Sequence, residues 1–125
     1  MLYSTPAVTD LDVYKGEFEA WPLHDAVLGP LTLDWQARTC RLELDVFFRR
    51  GEDARPAMVE WQGVSAVSVS RNDPWGPSDH VNGQRCEGDR GYVIEVQSGD
   101  EIRVTADSAT LHERRAAEPA LAGRR

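Results

Sequence analysis

Apolar and polar residues exchange places at every second position through most of this chain, the period of strands with one buried and one wet face. The clearest run is Cys40, Leu42, Leu44, Val46 and Phe48, set against Arg41, Glu43 and Asp45. Before it, Val27 to Trp35 reads as a strand with Leu31, Leu33 and Trp35 on one face. There Gly29-Pro30 demands a bend or a place on a sheet edge, because proline cannot donate to a ladder. Met58 to Trp61 and Val64 to Ser70 follow as two more strands, with Gln62-Gly63 between them as a hairpin turn or a bulge. Tyr92, Ile94 and Val96, then Ile102, Val104 and Ala106, alternate on either side of Ser98-Gly99-Asp100, which predicts a β-hairpin. Ala109 and Leu111 extend or reverse its second strand.

Three stretches escape the pattern. Residues 10–21 carry competing periods, since Leu11, Tyr14, Phe18 and Trp21 recur at helical spacing while Gly16 weakens a helix. A short helix or an irregular arm packing its aromatics on the sheet is expected there. Arg49 to Pro56 is a charged connector. Asn72 to Asn82, NDPWGPSDHVN, followed by the polar, glycine-containing stretch Gly83 to Gly91, reads as one irregular connection of about twenty residues, longer than compact domains usually carry. The expected organisation is an N-terminal arm over 1–21, a β domain over 22–112 and an Arg- and Ala-rich tail over 113–125. The expected fold is all-β: one antiparallel sandwich or partly open barrel of about six to eight strands, with at most one or two short helices.

Composition narrows the class without naming an activity. A chain of 125 residues, 41% hydrophobic and 28% charged, suits one globular domain. The net charge of −7 argues against nucleic acid, which needs clustered cations, and suits a basic protein partner. No apolar run approaches the ~20 residues of a spanning helix and the N-terminus lacks a signal-peptide pattern, so no membrane association and a cytoplasmic location are expected. Two cysteines, Cys40 in phase with a strand's apolar face and Cys86 among charges, do not make a disulfide framework.

Candidate chemistry gathers around three histidines, in His24-Asp25, Asp79-His80 and His112-Glu113. His24, His80 and Cys86 have the ligand types that zinc accepts, but no ligand spacing, so neither a metal nor another cofactor is expected. Ser78-Asp79-His80 contains the residue types of a hydrolase triad; consecutive side chains diverge, however, and Ser78 after Pro77 suits a turn. Trp75 is either a plug packed on Trp61 or Trp35, or an anchor for a partner.

Three segments, HDAVLGPLTLDW, WGPSDHVN and YVIEVQSGDEIRVTA, in this order and spacing, resemble a group of small bacterial β-rich proteins. Some of that group resemble immunity proteins that neutralise a toxin. The resemblance covers roughly Pro22 to Leu111 and implies a single β domain; it brings no catalytic residues. The function expected is a non-enzymatic, acidic protein-binding module, an immunity-type inhibitor, with Trp75 as anchor and Asp73, Asp79, His80, Glu87 and Asp89 around it. One alternative is a small hydrolase or metal-dependent enzyme using His24, Asp25, Ser78 and His80. The other is a structural homo-oligomer joined through the outer edge of the last hairpin.

Overall fold

The computed structural model describes residues 11–72 and 79–114. Nine strands form there: β1 Leu11–Val13, β2 Val27–Asp34, β3 Thr39–Val46, β4 Arg55–Gln62, β5 Ala66–Val69, β6 Val81–Glu87, β7 Gly91–Val96, β8 Glu101–Thr105 and β9 Ser108–Arg114. The only helical element among the described residues is the 3-10 turn Phe18–Ala20, and no helix is long and apolar enough to cross a membrane. All strand pairs are antiparallel, in a five-stranded sheet of order β1-β9-β4-β3-β2 and a four-stranded sheet of order β5-β8-β7-β6. The all-β expectation holds, as a two-sheet sandwich with more strands than expected.

The alternation explains the layers. In β3, Cys40, Leu42, Leu44 and Val46 point inward and meet Trp61, Val59 and Ala57 of β4 in register, while Arg41, Glu43 and Asp45 face water. Opposite them, Ile94 of β7 and Ile102 and Val104 of β8 close the core, with Leu111 of β9 beside Val59. Such fully buried side chains each contribute roughly 1.5–3 kcal/mol. The outer face of the second sheet is not bare. Val93, paired with Arg85 on one side and Arg103 on the other, is 1% exposed, and the two arginines are tied to Glu87, Glu95 and Glu101. Their aliphatic stems shelter the valine while their charged ends stay wet.

Several sequence expectations are corrected. Residues 11–13 form β1, paired to β9, so part of the expected arm belongs to the first sheet. Tyr14, Phe18 and Trp21 do pack on the domain: Phe18 stacks edge-on to Trp21 and Tyr92, and the Gln84 side-chain amide donates to the carbonyls of Phe18 (3.0 Å) and Trp21 (2.7 Å). Most of Gly83 to Gly91 is not a loop but β6, where the half-buried Gln84 and the exposed Cys86 give no aliphatic signal. Gln62-Gly63 makes neither a hairpin turn nor a bulge, because β4 and β5 lie in different sheets; β9 likewise returns from β8 to the first sheet. The β7–β8 hairpin forms as expected, but β5 and β6 flank it, so its outer edge is covered. β9 continues to Arg114, past the expected boundary at 112. Gly29-Pro30 does lie on an edge strand, within a register shift between Leu28 and Leu31.

β2 ties the two layers together. Its start bonds to the start of β6 through a Val27–His80 bridge, and its far end borders β5, the opposite edge of the second sheet. The strand therefore runs across that sheet, as expected of layers packed at a wide angle.

Candidate functional site

Buried Leu23 and Ala26 anchor a tight turn, with the Ala26 amide donating to the Leu23 carbonyl at 2.9 Å. The two residues between them, His24 and Asp25, are pushed into solvent, and Asp25 adopts a left-handed φ of 69° that aspartate tolerates better than most residues. The Asp25 amide donates to the Val81 carbonyl at 2.8 Å, the Val81 amide to Ala26 at 2.9 Å and the Leu28 amide to Asp79 at 2.8 Å. These bonds lace the His-Asp-Ala segment to Asp79-His80-Val81.

A third segment completes the corner. The Gln97 amide donates to the His80 carbonyl at 2.8 Å, and its side chain donates to the Asp25 carboxylate at 2.7 Å and the Val81 carbonyl at 3.2 Å. Just beyond, Ser98 and Asp100 are buried polar residues; the Ser98 hydroxyl donates to one Asp100 oxygen at 2.9 Å and the Asn72 amide to the other. Parts of all three resemblance segments thus meet at one end of the sandwich. Comparison with protein-family models, curated proteins and solved structures returns no match to this chain.

The side chains meet less than the backbones do. His24 Nδ1 lies 3.3 Å from its neighbour Asp25, and His80 Nδ1 lies 2.7 Å from its neighbour Asp79. Among the described residues no hydrogen bond joins one pair to the other, and no group of three or more His, Cys, Asp or Glu side chains gathers as a ligand set. Cys86 stands toward the far end of β6 from His80, so His24, His80 and Cys86 do not converge. Burial raises the Cys86 thiol above its ordinary value, and Glu19 and Glu17 add to the shift. His112 sits elsewhere, on the outer face of the first sheet, 3.4 Å from Glu60. Ser78, Trp75 and Asp73 lie outside the described residues.

The acidic rim divides in two. Asp79 and His80 belong to the corner, whereas Glu87 ends β6 at its opposite end and Asp89 lies just past it, a strand's length of roughly 20 Å away. Glu87 accepts from both Arg103 and Arg85, and these hydrogen bonds, Arg103 first, hold its carboxyl below the usual range.

The alternation puts Trp35 in the strand, on one face with Leu31 and Leu33, whereas the strand ends at Asp34 and Trp35 is 84% exposed. It stands past the end of β2 in the turn to β3, where the Asp34 carboxylate accepts the Ala37 amide. Trp35, Leu33, Val64 and Val67 border an open groove of about 530 Å³, with Asp34 and Arg38 among its polar lining. Asp34 marks that turn in the sequence, a signal that the strand ends before Trp35.

Proposed function

We propose that this chain is a non-enzymatic protein-binding module, an immunity-type inhibitor of a basic bacterial toxin, and that it meets its partner through the corner of His24, Asp25, Asp79 and His80. The observation that carries this reading is Asp25. Its backbone is bonded to Val81 and its carboxylate is held by Gln97, yet its side chain remains 56% exposed, and the Asp79 side chain, laced to the same corner through its backbone, is equally open. Carboxylates fixed in advance lose little freedom on meeting a cation, and the net charge of −7 steers a basic partner toward them. Inhibition is then steric and electrostatic.

The test begins by capturing a partner from the host cell by cross-linking, then titrating the purified captured protein with the wild type and with Asp25→Asn/Asp79→Asn. Asparagine tolerates the left-handed backbone of residue 25, so the fold is kept. The double variant is expected to bind at least about tenfold more weakly and to lose most of the salt dependence. Equal affinity and equal salt dependence would reject the corner as the binding surface.

A further inference from the structure

Among the described residues β5 is an edge strand with no partner on its outer side, and that side lies next to the Trp35 groove. The Ser70 amide donates to the Glu101 carbonyl, which fixes the phase of the ladder: Ser68 and Ala66 direct their backbone groups to β8. The N–H and C=O groups of Val67 and Val69 therefore point away from the sheet. β5 reads Ala-Val-Ser-Val, with none of the charges or prolines that usually guard an edge, and Val69 is 50% exposed. Leu33, at the end of the other sheet's edge strand, is 46% exposed across the groove.

We infer that two copies of this chain associate edge to edge through β5, about a two-fold axis perpendicular to that strand, each seating its Trp35 in the other's groove. A projecting indole and an adjoining cavity larger than one aromatic side chain lie on the same surface, the condition for a reciprocal, self-complementary contact. Asp34 and Arg38 both line the groove, so each copy offers one charge of either sign for the other to meet. The patch is charge-balanced on a chain of net charge −7, which makes it a surface where like chains meet with little repulsion. An antiparallel β5–β5 pairing satisfies the open groups of Val67 and Val69 in both copies. The acidic corner is at the other end of β2, so this contact stands independently of the proposed inhibitor function.

Sedimentation of the full chain from about 1 µM to about 0.5 mM decides the matter, since a contact of this kind populates the dimer within that range. The wild type is expected to approach twice the chain mass. Trp35→Ala, a change at an exposed position, and Val69→Lys, which places a charge on the edge, are expected to weaken association at least about a hundredfold while leaving circular dichroism unchanged. Asp25→Asn/Asp79→Asn is expected to associate as the wild type does. A single-chain mass at every concentration overturns the inference. So does a dimer as tight in both Trp35→Ala and Val69→Lys as in the wild type, or a chain that stays single and takes a foreign extended peptide at this groove.

Discussion

Replacing Gly63 by alanine tests the corner where the chain passes between sheets. The residue has a φ of 68°, and the left-handed region costs a residue with a Cβ roughly 1–2 kcal/mol. A Cβ there would also lie 2.1 Å from Oδ2, 2.5 Å from Cγ and 2.9 Å from Cβ of Asp107. Turning the carboxylate aside relieves the first two overlaps and leaves the third. It also gives up the ion pair with Arg90, whose guanidinium lies 3.0 Å from Asp107 and bonds the Gly63 carbonyl at 3.1 Å. Both partners of that pair are substantially exposed, which limits it to about 1 kcal/mol or less. Together the effects come to about 2–4 kcal/mol, a large share of a small domain's stability. In urea, with a slope near 1.5 kcal/mol/M, the midpoint is expected to fall by roughly 1.5–2.5 M at unchanged slope. In an Asp107→Gly background the overlapping atoms are gone, and the same substitution is expected to cost only the backbone strain of about 1–2 kcal/mol. A loss below about 0.5 kcal/mol for Gly63→Ala, or an equal loss in both backgrounds, would refute the reasoning.

Two further outcomes follow from side-chain networks. Gln84→Leu removes the donor that serves the carbonyls of Phe18 and Trp21, and is expected to cost about 1–3 kcal/mol while hydrogen exchange around residues 14–26 quickens; an unchanged urea midpoint would contradict it. Glu87 has a folded-state carboxyl held below its ordinary range, so its stabilising effect is present above about pH 4.3 and is lost as pH falls through the lowered folded value. The urea midpoint of the wild type is expected to drop over that acid interval and that of Glu87→Gln to drop less; equal acid limbs would show that the arginine contacts do not act through this carboxylate.

The strands legible in the sequence are those whose apolar positions recur on a regular period: β3, β4, β5, β7, β8 and the body of β2. β6 is illegible because the face it turns to the N-terminal segment carries Gln84, which meets the carbonyls of Phe18 and Trp21, and an exposed Cys86. β1 is three residues long, too short for either period to declare itself. Gly63 marks a break in the chain, and local chemistry does not distinguish a turn within one sheet from a passage to another. At the corner, His24, Asp25, Asp79 and His80 were singled out by residue type, whereas Gln97 was not. Its role depends on bonds to Asp25 and Val81 that span 72 and 16 positions of sequence. Trp35 was misplaced because alternation alone does not tell where a strand stops.

The position of β9 has a consequence for how the molecule is made. It is the last of the described strands in sequence, yet it lies between β1 and β4, and among the described residues β1 has no other neighbour in its sheet. During synthesis β2, β3 and β4 emerge as a contiguous meander, and the second sheet has all four strands before β9 is translated. β1 must wait. Its placement closes a loop from Leu11 to Arg114, so the first sheet stays incomplete at its β4 edge until the last strand arrives. A chain stopped short of Ser108 exposes that edge, and its nascent form is open to the wrong strand.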